Sequence, residues 1–174
     1  MKDVDASLDL LMKISKLKTL RRAGWVERGV PEPESVADHI FMTALIAMFV
    51  ADEEEMDTGK VLKMVLLHDL QEADCGDITP ASELFCRKEE LEREAITKLL
   101  EDTPAHYLDL WEEYMANVSA EARLAHQADR FEMLLQAFSY EREGNDVKGF
   151  FNIDYQLSGA LGELEKEVRA RRDK

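Results

Sequence analysis

The chain has 174 residues, 45% apolar and 34% charged, with 22 Lys plus Arg against 37 Asp plus Glu and a formal net charge of −15. This length and composition suit one domain with a substantial core and exclude a disordered chain. No run approaches the roughly 20 apolar residues of a membrane-spanning helix, and the acidic balance argues against a nucleic-acid backbone as partner.

A small anionic substrate remains compatible with that charge, because a bound cation and a few arginines reverse a local field. The two cysteines, Cys75 and Cys86, are too few for a disulfide framework. The start, Met1-Lys2-Asp3-Val4-Asp5, lacks a signal-peptide layout, so a cytoplasmic protein is expected.

Helical periodicity predicts a first helix over about 4–20, with Leu8, Leu11, Ile14, Leu17 and Lys18 at helical spacing. A basic, irregular stretch, Arg21 to Gly29, follows and runs into Pro31 and Pro33. Ser35 with Asp38 three residues on reads as a capping-box start for a helix carrying Ile40, Ala44, Leu45, Met48 and Phe49. After the acidic turn Asp52–Glu55, a helix capped by Thr58 is expected over about 58–70, ending in His68-Asp69. Gly76 and Pro80 break the next stretch into a short helix and a loop.

Further helices are expected over about 87–102 (Leu91, Ile96, Leu99 and Leu100 inward) and from Pro104 (Tyr107, Leu108, Trp111, Met115). A long one runs from a Ser119 cap to near Gly144, and a last one covers about 154–171. With no sustained strand-like alternation, the prediction is an all-α fold: a single-domain helical bundle over 1–174 with seven or more helices.

The residues that carry chemistry sit at the edges of those helices. His68-Asp69 places an imidazole beside a carboxylate where the apolar run Val61–Leu67 stops. Neighbours in mid-helix point about 100° apart, but at a helix end they can converge. Glu72 falls on the same face, and Gly76 gives the backbone freedom to bring Asp77 close. His39 follows its helix cap, and Asp129 borders the apolar stripe Leu124, Ala128, Phe131, Leu135, Phe138, where a carboxylate needs a partner. Two imidazoles and two carboxylates form a mixed N/O donor set for one divalent ion such as Mn, Co, Fe, Ni, Zn or Mg. His106 and His126 remain outside this set, His126 three residues before Asp129.

Several segments together carry a family resemblance: Gly24-Trp25-Val26, Pro33-Glu34-Ser35-Val36-Ala37-Asp38-His39, His68-Asp69-Leu70-Gln71-Glu72, Gly76-Asp77-Ile78 and Ala128-Asp129-Arg130-Phe131-Glu132-Met133. From about Leu17 to Glu143 the chain resembles the HD-domain metal-dependent phosphohydrolases, and within them the 5'-deoxynucleotidase branch. The resemblance implies that His39, His68, Asp69 and Asp129 ligate one divalent metal ion, that Glu72 activates the attacking water and that Asp77 assists. It also implies that Trp25 packs on the sugar and senses the missing 2'-hydroxyl. Where the bacterial branch has an arginine directly before this tryptophan, Gly24 stands here, so Arg22, Arg21 or Arg28 is expected to supply the phosphate-binding charge.

The implied substrate is a deoxyribonucleoside 5'-monophosphate and the implied assembly a homodimer, pairing through the helices about 87–102 and 154–171, although packing within one chain explains the same stripes. Other readings are a related phosphohydrolase acting on cyclic nucleotides, deoxynucleoside triphosphates or guanosine polyphosphates, or a non-catalytic nucleotide-binding helical module. A two-metal cyclic phosphodiesterase needs further histidines, and a triphosphate enzyme needs more Lys and Arg at its pocket.

Overall fold

The structure, a computed structural model, describes residues 4–174; the leader reading at Met1-Lys2-Asp3 lies outside them. Nine α-helical segments follow in order among the described residues: α1 (Val4–Ser15), α2 (Ala23–Glu27), α3 (Val36–Glu53), α4 (Thr58–Leu67), α5 (Glu72–Cys75), α6 (Lys88–Leu99), α7 (His106–Ala116), α8 (Ala120–Arg142) and α9 (Gly159–Arg172). Three 3-10 turns, Lys16–Lys18, Phe85–Arg87 and Lys148–Asn152, join some of them. Among the described residues no strand forms, and the single bridge pairs Arg21 with Ser35. The fold is all-α, as the absence of strand-period alternation predicts.

The centre is a layer of α3, α4 and α8 packed side by side. α3 buries Val36, His39, Ile40, Thr43, Ala47, Val50 and Ala51, a stripe at spacings of three and four. α8 answers with Leu124, Ala125, Ala128, Phe131, Leu134 and Ala137. The alanines of both stripes remove bulk where the helices meet. A second cluster, Leu67, Ile96, Leu99, Leu100 and Trp111, packs α6 and α7 onto the end of α4. Leu17, Val36, Ile40 and Ala73 join the N-terminal segment to α3 and α5.

Two starts follow the capping logic. The Ser35 side chain accepts from the Asp38 N–H, and Asp38 accepts from the Ser35 N–H, a complete capping box. Ser119 accepts from the Ala122 N–H to open α8. α4 is different: Asp57, not Thr58, is its cap, accepting from the Lys60 N–H, while the Thr58 hydroxyl donates back to Asp52. A carboxylate accepts from an amide better than a hydroxyl already in use as a donor, which decides between these neighbours.

Other boundaries also shift. The first helix breaks into a 3-10 turn after Ser15, and Leu8 and Leu11 stay more than half exposed because no element covers that side of α1. α4 stops at Leu67, leaving His68 to Gln71 in successive turns. The basic stretch contains the short helix α2, clipped by Arg22 N–H to Glu34 O (3.1 Å) and Val36 N–H to Leu20 O (2.9 Å). α9 begins at Gly159, not near 154, because Phe151 and Tyr155 sink into the core and hold the preceding segment extended.

Candidate metal centre

The end of α4 carries His68 and Asp69, the first turn of α3 carries His39, and mid-α8 carries Asp129. These four residues converge. His39 Nε2 stands 3.1 Å from Asp129 Oδ1 and 3.8 Å from Asp69 Oδ2; His68 Nε2 stands 3.2 Å from Asp69 Oδ2. The two Nε2 atoms are only 3.3 Å apart. Donor atoms of His39, His68 and Asp129 all lie within 4.8 Å of one another.

The opposite ring nitrogens are already engaged. His68 Nδ1–H donates to the Val65 carbonyl at 2.6 Å, and His39 Nδ1–H donates to Glu132 Oε2 at 2.6 Å. Those bonds assign the tautomers: each neutral ring then points an Nε2 lone pair at the other. Two lone pairs at that distance repel unless a positive charge lies between them. A proton can serve, and the surroundings hold one. Burial and Arg22 push the His39 imidazolium down, but Asp129 and Glu132 outweigh both and raise it to about 10. His68 is likewise raised: burial opposes its charge and Asp69 overcomes that. A divalent cation satisfies the same four donors better, because it matches two carboxylates and two neutral imidazoles at once. The residues therefore fit a metal.

Glu132 is a residue that sequence reasoning left without a role. It is 1% exposed and lies three residues after Asp129, on the same face of α8. The two carboxylates thus grip the two nitrogens of one ring. Carboxylates that orient a ligating histidine typically contribute 10- to 100-fold to metal affinity. Glu132→Gln is accordingly expected to weaken divalent-metal binding by about 10- to 100-fold, measured by competition with a chelator. Unchanged affinity would refute the orienting role.

Around the cluster lies a cavity of about 480 Å³, bordered by Arg22, Trp25, Arg28, Asp69, Glu72, Asp77, Lys88 and Asp129 among others. Glu72 is buried (3% exposed), and its Oε2 has no hydrogen-bond partner among the described residues. Burial, then the negative charges of Asp69 and Asp77, raise its pKa well above the ordinary value despite Arg22 and Lys88. Gly76 takes φ +77°, which turns the chain so that Asp77 Oδ2 accepts the Ala23 N–H at 2.7 Å. Asp77 thereby ties its loop to the start of α2.

The cations are distributed unevenly. Arg22 Nη1 reaches Asp69 Oδ2 at 3.2 Å and Glu72 Oε1 at 4.0 Å. Burial opposes its charge, but Asp69, Asp77, Glu72 and Asp129 hold it. Arg28 lies exposed at the rim, its guanidinium 5.8 Å from the centre of the Phe150 ring. Arg21 turns away to the Pro33 carbonyl. Lys88, which reads in the sequence as one charge of a solvated helix face, borders the cavity instead. It donates to the Ile78 carbonyl (3.0 Å) and to Glu92 Oε1 (3.1 Å).

Trp25 is 2% exposed; its Nε1–H donates to Glu34 Oε1 at 2.8 Å, and its ring sits 4.1 Å from that of Phe150. It fixes the α2 segment to the core and presents only a sliver of its surface to the cavity. His126 stacks on Tyr114 and meets its carbonyl at 2.9 Å, while exposed His106 lies against Tyr107. Neither belongs to the cluster. Cys75 is half-buried, and burial pushes its thiol up to about 12, so it is inert as a nucleophile.

Comparison with known proteins identifies the family. The HD domain family model matches residues 14–169. A 5'-deoxynucleotidase of Dictyostelium discoideum is 37% identical over 169 residues, spanning 90% of this chain and 89% of that protein. A 5'-deoxynucleotidase of Homo sapiens is 40% identical over 139 residues, 77% of this chain and 68% of that one. A conserved hypothetical protein from Pyrococcus furiosus superposes with a TM-score of 0.82 at 36% identity, covering 94% of this chain and 99% of its own. A predicted metal-dependent phosphohydrolase from Magnetospirillum magnetotacticum gives 0.73 at 30% identity, over 97% and 91% of the two chains.

Proposed function

This chain belongs to the HD-domain family, and from that premise we propose that it is a divalent-metal-dependent phosphomonoesterase that releases phosphate from deoxyribonucleoside 5'-monophosphates. The observation that carries the reading is the pair of buried imidazole Nε2 atoms 3.3 Å apart, flanked by Asp69 and Asp129, which line a cavity together with the unsatisfied Glu72. The relatives named 5'-deoxynucleotidase support the substrate class.

His39, His68, Asp69 and Asp129 would hold the ion, which when bound supplies a Lewis acid for phosphate oxygen and for water. Glu72 is built as a base. Its Oε2 has nothing to accept from until a water arrives, and its raised pKa makes the carboxylate a better proton acceptor. It takes a proton from the water as the new bond to phosphorus forms and the bond to the 5'-oxygen breaks. Asp77, with one oxygen committed to the Ala23 N–H, has its second oxygen to relay to the departing alkoxide the proton that Glu72 took from the water. Arg22 would share its guanidinium between Asp69 and a non-bridging oxygen, and Arg28 at the rim would add charge. Trp25 would form the floor beneath the sugar.

A triphosphate substrate fits less well, because two of the cavity's cations, Arg22 and Lys88, already face carboxylates. The proposal includes a homodimer; the apolar side chains that α1 leaves outward, Leu8, Leu11 and Met12, suit such an interface.

The test is a phosphate-release panel of ribo- and deoxyribonucleoside monophosphates with Mn, Co, Mg and Zn. The expected result is metal-dependent release of orthophosphate, faster from the deoxy series. Release of pyrophosphate or triphosphate from nucleotides, or binding without any turnover, would overturn it.

A further inference from the structure

The lining of the cavity is of two kinds. Arg22, Asp69, Glu72, Asp77 and Asp129 supply the charged part described above. Glu27, Arg28, Thr79 and Lys88 add polar groups, and the apolar part includes Phe150 and Ile153, which come from the segment after α8. Nothing in the chemistry of a phosphate ester requires these side chains.

Their segment is anchored with unusual thoroughness for a connector. Phe151 and Tyr155 are buried, at 5% and 1% exposure, so the chain is nailed to the core on either side of Ile153. Three of its carbonyls, those of Phe150, Phe151 and Ile153, are then secured. The Tyr155 hydroxyl donates to the Phe150 carbonyl at 2.9 Å. Arg169 on α9 donates to the Phe151 carbonyl at 2.7 Å and to the Ile153 carbonyl at 3.3 Å. Glu165, one turn earlier on α9, holds that guanidinium at 2.8–2.9 Å. With the backbone fixed, Phe150 faces the cavity against Trp25, and Ile153 lines it while remaining 41% exposed.

Ile153 thus presents apolar area, on a fixed backbone, to the space that a ligand in the cavity would fill. Two hydrogen-bonding groups nearby are spent, the Trp25 N–H on Glu34 and the Thr79 hydroxyl on Glu27, and the Arg28 guanidinium lies at the Phe150 ring, 5.8 Å from its centre. The wall therefore offers area and stacking, not a donor–acceptor pattern.

We infer that the Phe150–Ile153 segment is the wall on which the nucleobase of the substrate lies, and that Arg169, through the two carbonyls it holds, is the residue that positions this wall. The inference rests on the proposed reaction for the identity of the ligand. The phosphate and sugar engage the charged part of the cavity; the base covers Ile153 and the edge of Phe150.

The experiment compares deoxyadenosine 5'-monophosphate with 2-deoxyribose 5-phosphate, which has the same sugar and ester but no base, on wild type and Ile153→Ala with metal bound. Ile153 is exposed, so the variant folds. The expected result is a KM for the nucleotide raised about tenfold, the scale for losing apolar contact in a binding pocket. kcat stays unchanged, and both parameters for the sugar phosphate stay where they were. Arg169→Ala should reproduce the pattern, with partial recovery in Arg169→Lys. No change in nucleotide KM, or equal changes for both substrates, would overturn the wall. Dissociation constants of the two compounds separate this inference from the reaction. Should the wild type hydrolyse neither compound yet bind the nucleotide about tenfold more tightly, with that preference lost in Ile153→Ala, the wall stands and the proposed reaction falls. Equal binding of both by the wild type overturns the wall.

Discussion

Asp69→Ala is expected to lose phosphate release by at least about three orders of magnitude, because removing ligation removes several kcal/mol of transition-state stabilisation. Asp69 Oδ2 alone meets His68, Arg22 and, at longer range, His39. Burial would raise its pKa, but the positive charge of His68, Arg22 and His39 keeps this carboxylate ionised and well below the usual range. Deleting it removes one ligand and the nearest partner of a buried guanidinium, so the site attracts a cation less strongly. The variant should therefore also fail to retain stoichiometric metal after dialysis, measured by elemental analysis. Turnover at the wild-type rate, with metal still bound, would show that the four residues are not the ligand set.

Glu72→Gln should separate function from stability. Turnover is expected to fall by about 10²- to 10⁴-fold, the usual contribution of a positioned general base. Metal-free protein should nevertheless become more stable at pH 7, because the neutral amide avoids the cost of a buried charge beside Asp69 and Asp77. The reason lies in the burial of an ionised carboxylate whose Oε2 has no partner, near Asp69 and Asp77. The neutral amide keeps the shape and removes the charge. The sign with pH follows. A carboxyl whose folded pKa lies above its ordinary 4.5 contributes stability below that value and loses it as pH rises through the folded pKa. The advantage of the variant should thus be small near pH 4 and widen toward neutrality in thermal melts of metal-free protein. A variant less stable than wild type at pH 7 would show that Arg22, 4.0 Å from Oε1, compensates the charge after all.

How much of this was legible in the sequence depends on whether the signal was local. The Ser35–Asp38 capping box and the φ > 0 turn at Gly76 are decided within a few residues, and the structure contains both, whereas the helix expected to end in His68-Asp69 stops at Leu67. The four candidate ligands could be named because a polar residue at the edge of an apolar stripe demands a partner. Periodicity failed where the outcome depends on which neighbour arrives. Leu8 and Leu11 have the right spacing but no helix opposite, so they stay exposed. Lys88 looks like any helix-surface lysine until the loop after Gly76 folds over it. Glu132 did leave a trace, three residues from Asp129 beside a buried stripe, but only the 2.6 Å contact identifies its partner as His39. Phe150 and Ile153 sit in a short apolar patch beyond Gly144 that reads equally well as core. Phe151 and Tyr155 took that role, and the alternate residues were left for the cavity.

The clasp of α8 on His39 sets a constraint on how this gene can change. Asp129 and Glu132 hold opposite corners of the same five-membered ring, so their phase along the helix is matched to a rigid object of fixed size. Deleting or inserting a single residue between them would swing one carboxylate about 100° around the axis and out of reach. Substitution at Arg130 is a milder perturbation, since it leaves the count unaltered, whereas Phe131 between them is buried in the core. Descendants of this sequence should accordingly accumulate point changes across this turn while never altering its length, and a frame-preserving codon loss there would be as damaging as losing a ligand outright.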